Sequence, residues 1–356
     1  MKIGIIGFPQ TGKKTLFQLL TNYKPSQKDL SSNSAIHSMA EIKDPRFDKL
    51  VSMYNPKKSA RARIEIDVLP KLEKEAMAKG DTFKDIEDVD AVCHVVRVFK
   101  DESVYHVSGS VDPKRDIDEI NSELILHDLM FVEKRLERLE KDVKKNDDKA
   151  VKEKALLSKL KSFLDKELPL RVLEITPEEK KMLSSCPFMT TKEMIIVLNV
   201  SEDELKDLSL LEALKKNYAG IKVDIMQVSA KVEAEIAGLE SDDERKTFLE
   251  AIGIEEPAIN ILTRLCGKAL NLMSFFTVGE DEVKQWTIKR GSSAPEAAGA
   301  IHSDLQKGFI RAELMKYDDL IGLGSEEKVK EAGKFYLKGK DYIVDDGDIM
   351  SIRSGI

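Results

Sequence analysis

No apolar stretch in this chain of 356 residues approaches the ~20 residues that a membrane-spanning helix needs, so no membrane partner is expected. Cysteine is scarce: Cys93, Cys186 and Cys266 are scattered, with no C-x-x-C spacing. That excludes a zinc site or a disulfide framework and points to a reducing compartment, with each thiol read as a small buried apolar residue. Aromatics make up only 6% of the residues. Basic charge is not in excess either. The net charge of −7 argues against DNA as a partner and leaves RNA contact only to a local patch. The opening residues read as a strand rather than a signal peptide, so a cytoplasmic location is expected. What is abundant is charge of both signs, at 34%, in a chain long enough for two or three domains with proper cores.

The informative motif lies at residues 7–15, Gly7-Phe8-Pro9-Gln10-Thr11-Gly12-Lys13-Lys14-Thr15. It follows the apolar run Lys2-Ile3-Gly4-Ile5-Ile6 and opens the helically spaced Thr15-Leu16-Phe17-Gln18-Leu19-Leu20. Strand, Gly-rich turn and helix are the context of a phosphate-binding loop. Gly7 and Gly12 let backbone N–H groups turn onto phosphate oxygens, and the helix N-terminus adds positive potential. Lys13 is placed to reach the β- and γ-phosphates. The strict pattern then requires a hydroxyl to hold Mg²⁺, and this chain has Lys14. Nucleotide binding is expected, while the loop itself supplies no support for a Mg²⁺ cofactor.

Apolar runs suited to buried parallel strands recur at 2–6, 63–69, 90–99, 193–199 and 221–228, with helical patterns between some of them. This is the layout of a doubly wound α/β sheet, whose ligands sit at the carboxyl ends of the strands. A different texture interrupts it. Leu129, Val132, Leu136, Leu139 and Val143 repeat at spacings of three and four, and Leu157, Leu160 and Leu164 resume the pattern after Asn146-Asp147-Asp148. Two antiparallel helices in a coiled-coil hairpin are predicted. From Glu133 to Lys166 there are 12 Lys or Arg and 8 Asp or Glu, a local excess of +4 in an acidic chain. This is either an ordinary solvated face or a contact surface for an acidic partner, RNA included. From about Phe275 a β-grasp-like module is predicted. Its strands are Val283–Ile288, Phe309–Leu314 and Asp348–Ile352, a helix runs from Ala294-Pro295 to about Leu305, and Asp345–Asp348 forms a turn. Phe309, Arg311 and Trp286 could form a contact surface there, although strand spacing favours core packing for the aromatics.

The strand Ile195-Ile196-Val197-Leu198 runs into Asn199-Val200-Ser201-Glu202. GTPases carry Asn-Lys-x-Asp at such a place, with the carboxylate accepting from the guanine N1–H and amino group. Glu202 takes the acid's position and Val200 the lysine's. A carboxylate fixed for guanine would face the N1 lone pair of adenine, so the altered loop points to relaxed or ATP-leaning base choice.

With this loop in view, the chain resembles the Obg-like ATPase (YchF) family over essentially its whole length. The resemblance rests on His94-Val95-Val96-Arg97, Val111-Asp112-Pro113, Glu123-Leu124-Ile125-Leu126, Asn199–Asp203 and Ser229-Ala230-Lys231. In the C-terminal part it rests on Phe276–Gly279, Trp286-Thr287-Ile288, Ala297–His302, Gly308–Glu313 and Gly339–Asp348. It implies a P-loop NTPase domain (1–121 and 189–273), an inserted helical coiled-coil domain (122–188) and a C-terminal TGS domain (274–356). It also implies ATP preference, slow hydrolysis and association with ribosomes or ribosomal RNA. Gly7, Gly12, Lys13 and Thr15 match phosphate positions, with Phe8, Pro9, Gln10, Thr11 and Lys14 completing the loop. Asn199, Val200 and Glu202 match the base loop, and Ser229, Ala230 and Lys231 match the last nucleotide loop.

Departures from the family pattern cluster on metal and γ-phosphate chemistry. Lys14 replaces the metal-binding hydroxyl. In Asp67-Val68-Leu69-Pro70 the acid is kept as an indirect Mg²⁺ group, but Pro70 stands where a glycine N–H would meet the γ-phosphate. The following Lys71–Glu75 reads as a helix rather than a Gly-rich loop, and Ser31–Ser38 lacks the metal-binding threonine run. No catalytic residue can be named. His37, in a Ser-rich loop, reads as an exposed bystander, and His94, in an apolar strand, as core. Two functions stay open: an ATP-binding protein (GTP as the alternative nucleotide) with hydrolysis slow or lost, and a nucleotide-independent ribosome- or RNA-binding adaptor.

Overall fold

The computed structural model describes residues 1–24, 26, 34–70, 84–142 and 148–355. The expected helix at 71–75, Val143 of the hairpin seam and residues 31–33 of the Ser-rich stretch lie outside these. The chain divides into two compact units, residues 1–38 with 65–259 and residues 39–64 with 260–356. Among the described residues no helix is long and apolar enough to cross a membrane.

The first sheet is built from β1 (Lys2–Ile6), β2 (Ile36–Glu41), β4 (Arg63–Val68), β5 (Ala91–Arg97), β6 (Glu193–Asn199) and β7 (Val223–Val228). Its order is β2-β4-β1-β5-β6-β7, and β1 pairs in parallel with both β4 and β5. The pairs β5/β6 and β6/β7 are parallel as well. All five apolar runs therefore become strands, because a parallel sheet covered on both faces selects continuous apolar sequence. β5 is buried along its full length. The strand β2 was not expected. It alternates buried Ile36 and Ala40 with exposed His37, so its burial is too sparse to stand out from the surrounding polar residues.

The helix α1 (Lys13–Thr21) follows the loop after β1. It buries Leu16, Phe17 and Leu20 on one face, at the three- and four-residue spacing of an amphipathic helix. The predicted hairpin is present as α2 (Pro113–Asp142) and α3 (Asp148–Leu164). Val132, Leu139, Leu156, Leu157, Leu160 and Leu164 are buried together, with Leu129 and Leu136 packed against them. The helix α2 begins well before the first predicted seam residue. Its N-terminal half places Ile117, Ile120 and Leu124 in the core of the α/β sheet.

The second unit holds a six-stranded sheet. Its strands are β3 (Lys58–Ala60), β8 (Leu272–Thr277), β9 (Glu282–Lys289), β10 (Phe309–Lys316), β11 (Tyr336–Lys338) and β12 (Asp348–Ser354), in the order β11-β10-β12-β8-β9-β3. The β8/β9 pair is antiparallel and β12 joins β8 in parallel. The predicted helix at 294–305 breaks at His302, which is extended between helices Ala294–Ile301 and Ser303–Lys307. Phe309 is buried and Trp286 stacks on Phe275 while its indole N–H donates to Thr277 Oγ1 at 3.0 Å, so both aromatics serve the core. Arg311 remains exposed.

The cysteines divide. Cys93 and Cys266 are buried, and burial pushes the Cys93 thiol up to about 12. Cys186 is half-exposed, unlike the expectation for all three.

Candidate functional site

The sequence Gly7–Gly12 leaves the carboxyl end of β1 and turns sharply into α1. Gly7 has φ 147°, and a Cβ there would overlap the Val95 carbonyl oxygen of β5. Gly12 has φ 92° and caps α1, and a Cβ there would overlap the Asn199 amide nitrogen. Both positions demand glycine, for backbone angle and for space. No side chain caps the first turn of α1, so its leading N–H groups are not consumed by a cap. Between the glycines, Phe8 is buried, Pro9 half-buried and Gln10 exposed with a left-handed φ of 63°. Thr11 is buried and its hydroxyl donates to the Phe8 carbonyl at 3.1 Å.

Lys13 is 6% exposed. Its ammonium donates to the Gly7 carbonyl and, at 3.3 Å, to the Phe8 carbonyl, so the loop wraps its own cation. Beneath it lies His94, 1% exposed, in β5. Burial first, and the Lys13 charge second, push its pKa down to about 3, so the ring is neutral and belongs to the core as expected. Lys14 and Thr15, which follow in the same first turn of α1, are half-buried.

Asn199, at the end of β6, ties two of the expected loops together. Its amide donates to the Thr11 carbonyl at 2.9 Å and its oxygen accepts from the Ala230 N–H at 3.0 Å. The asparagine expected in the base loop is thus a staple between the Gly7–Gly12 loop and the Ser229–Lys231 loop. Ser229 is buried and caps helix α4 (Ala230–Gly238), accepting from the Val232 N–H. Val200 is buried, its N–H donating to the Val228 carbonyl at 2.9 Å. Glu202 and Lys231 are exposed and face each other at 3.7 Å. Residues drawn from three separate stretches of sequence therefore converge at the carboxyl ends of β1, β6 and β7.

Asp67, one residue before the end of β4, is buried, but the imidazole Nδ1 of His37 lies 2.7 Å from its carboxylate. His37 is thus neither in a loop nor a bystander. It sits on β2, and its neighbour across the site is the acid expected to serve a metal. The sequence carried no signal for this pair, since Ser-rich flanks gave the histidine no partner. Arg97 was a second omission. It is 1% exposed and donates to the carbonyls of Phe99, Asp101 and Val104, which fixes the loop after β5.

Among the described residues the donor set does not fit a divalent cation held in the usual way. An ammonium stands where a hydroxyl ligand belongs, Pro70 has no N–H to offer, and the Asp67 carboxylate is engaged by His37. What the arrangement can do is bind phosphate through backbone N–H groups and Lys13, without a metal ligand of the usual kind.

A parallel sheet ending in a glycine-framed loop, with a lysine at the start of the next helix and an asparagine-stapled second loop, defines a P-loop nucleotide-binding protein of the doubly wound α/β class. Comparison with known proteins narrows this. A family model, YchF-GTPase_C, described as a protein of unknown function (DUF933), matches residues 272–354. The ribosome-binding ATPase YchF of Bacillus subtilis is 42% identical, with 99% of both chains aligned. That of Escherichia coli O157:H7 is 38% identical over 98% of both. The solved structure of the Schizosaccharomyces pombe YchF GTPase superposes with a TM-score of 0.83 at 30% identity, covering 99% of this chain and 97% of that one. A GTP binding protein from Pyrococcus horikoshii shares the fold, with a TM-score of 0.55 at 18% identity. The chain belongs to the YchF family.

Proposed function

We propose that this protein binds ATP, with GTP as the alternative nucleotide, associates with ribosomes, and hydrolyses the nucleotide slowly or not at all. The observation that carries the binding reading is the loop geometry: Gly7 and Gly12 in conformations closed to other residues, an uncapped α1, and the staple from Asn199 to Thr11 and Ala230. The relatives' names, ribosome-binding ATPase and GTPase, support the ribosome and the triphosphate as partners. In this reading Gly7–Thr15 cradle the phosphates with Lys13 opposite the β/γ oxygens. Asn199, Val200, Glu202 and Ser229–Lys231 surround the base. Residues 1–121 and 189–273 form the nucleotide domain, 122–188 the inserted helical domain and 274–356 the TGS domain.

The weak or absent hydrolysis follows from charge. Phosphoryl transfer depends on a metal and positioned donors to offset charge at the transferred group. Loss of one such donor lowers rate by about a hundredfold or more. Here Lys14, Pro70 and the His37–Asp67 pair each remove one contribution. A nucleotide-independent adaptor is the second reading, favoured by the same three features.

Calorimetric titration with ATP, GTP and ADP, with Mg²⁺ or EDTA, together with phosphate release, tests both. The expected result is ATP binding that survives EDTA and disappears in Lys13→Ala, with phosphate release at background. Brisk Mg²⁺-dependent release overturns the slow-hydrolysis reading, and no binding of any nucleotide leaves the adaptor.

A further inference from the structure

The helical hairpin carries a cavity of about 540 Å³, apart from the nucleotide loops. That is within the range of clefts that hold small ligands or side chains, roughly 300–1,000 Å³. Its lining has two chemistries. Phe131 of α2, Met182 at the end of the helix Pro177–Met182, and Cys186 contribute apolar surface. Met182 is 38% exposed, an uncovered apolar side chain on a highly charged element. Phe131 meets Phe188 edge-on with centroids 5.3 Å apart, which fixes it against the hairpin core.

Around this apolar surface stand Lys134, Arg135 and Arg138 of α2 with Lys149 and Lys152 of α3. Among the described residues Glu153 is the one acid in the lining, and Arg135 Nε already donates to it at 2.7 Å. Among the described residues no carboxylate pairs with Lys134, Arg138 or Lys152. Like charges gathered around a cavity repel one another, and in an acidic chain of net charge −7 this concentration is not a by-product of composition. Two helices hold them on both sides of one opening, so the field is focused on whatever enters.

We infer that this cavity is a docking site for an acidic peptide segment that inserts one large apolar side chain between flanking Asp or Glu residues. The apolar lining offers no hydrogen-bonding edge beyond Ser185 to read a base. Phe131 is the one aromatic ring among the described lining residues, so the cavity offers no row of rings on which successive bases could stack, which separates this site from a single-stranded RNA platform. An acidic chain with a single apolar anchor satisfies both surfaces at once: the anchor covers Phe131 and Met182, and its carboxylates meet Lys134, Arg138 and Lys152. The inference does not rest on the nucleotide reading, since none of these residues belongs to the phosphate or base loops.

Cys186 provides a built-in reporter. Cys93 and Cys266 are 1% and 0% exposed, so maleimide added to the folded protein reacts at Cys186. Burial, and then the Glu153 charge, hold its thiol above the ordinary range, so labelling is slow enough to follow. The full-length protein is titrated with a fluorescent Asp/Glu-rich peptide bearing one central Phe, the same peptide with Ser for Phe, and a single-stranded RNA of equal charge. Anisotropy and the maleimide rate are recorded. The Phe peptide is expected to bind, to slow Cys186 labelling at least fivefold, and to weaken with salt. The Ser peptide and the Lys134→Glu/Lys152→Glu variant are expected to lose tenfold or more in affinity. Lys134→Ala/Lys152→Ala, a milder pair at exposed positions, is expected to show a smaller loss of the same sign. RNA binding that equals or exceeds the Phe peptide, unchanged labelling of Cys186 on peptide binding, or indifference to both lysine pairs overturns the proposal. Failure of nucleotide binding in the same preparation would leave it intact.

Discussion

Replacing Asn199 by alanine tests the staple at the centre of the proposed site. The asparagine is 4% exposed, and its two partners, the Thr11 carbonyl and the Ala230 N–H, belong to residues that are 2% and 5% exposed. Truncation leaves a buried acceptor and a buried donor without partners. Each such group costs about 1–3 kcal/mol, and allowing for some relaxation the pair comes to about 2–4 kcal/mol. Because both hydrogen bonds join loops rather than core strands, the loss should appear first as unlocking of the phosphate loop. If half of it is expressed there, ATP affinity falls roughly tenfold, since about 1.4 kcal/mol corresponds to a factor of ten. Asn199→Asp separates the two bonds. It keeps an acceptor for Ala230 but sets a carboxylate oxygen against the Thr11 carbonyl. Its defect should match or exceed that of the alanine variant at neutral pH and ease as the carboxylate is protonated and can donate. Calorimetric ATP titration and urea denaturation read both effects. An Asn199→Ala protein that binds ATP within about twofold of the parent and denatures at the same urea concentration would refute the staple.

Lys14→Ser restores a hydroxyl at the metal position and is expected to raise ATP affinity in Mg²⁺ over EDTA by roughly tenfold, on the scale of one recovered charge-assisted contact; equal affinity in the two buffers refutes it. His94 is held neutral in the fold, with its pKa at about 3 against an ordinary 6.5. The unfolded chain therefore takes up a proton that the native state refuses, so stability is full above 6.5 and falls by about 1.4 kcal/mol per pH unit below it. His94→Leu should flatten this slope relative to the parent in denaturation followed from neutrality into mild acid, and an unchanged slope counts against the assignment. Asp348, fully buried, accepts from Lys316 Nζ at 2.7 Å, Tyr342 Oη at 2.7 Å and the Asp345 N–H at 2.9 Å. Asp348→Ala should destabilise the second unit by about 2–4 kcal/mol, seen as a lower melting transition, whereas a loss below ~1 kcal/mol would show that the network is dispensable.

The α/β sheet was legible because its strands are continuous apolar runs and its phosphate loop has glycines at fixed spacing. The hairpin seam was legible from leucines at three- and four-residue intervals, of which Val132, Leu139, Leu157, Leu160 and Leu164 are indeed buried. The start of α2 was not, because Ile117, Ile120 and Leu124 answer to a different core from the seam residues, and one periodicity fades into the other. The one-residue break at His302 was missed for a local reason: its imidazole accepts from the Asp304 N–H and caps a new helix, an option that apolar spacing does not reveal. In the proposed site, Asn199 was expected in a base loop, but its bond to Thr11 spans 188 positions, and only the fold brings them together. The His37–Asp67 pair is likewise a product of strand adjacency, invisible to motif spacing.

The way Lys13 folds back on the carbonyls of Gly7 and Phe8 has a thermodynamic corollary. Sequestering a cation from solvent is costly unless the protein solvates it, and here the carbonyl dipoles of its own loop do so. An arriving polyphosphate must outcompete those carbonyls, so part of its binding energy is spent on an exchange. The ligand-free protein should therefore persist as a well-folded species, and nucleotide should raise its melting point only modestly.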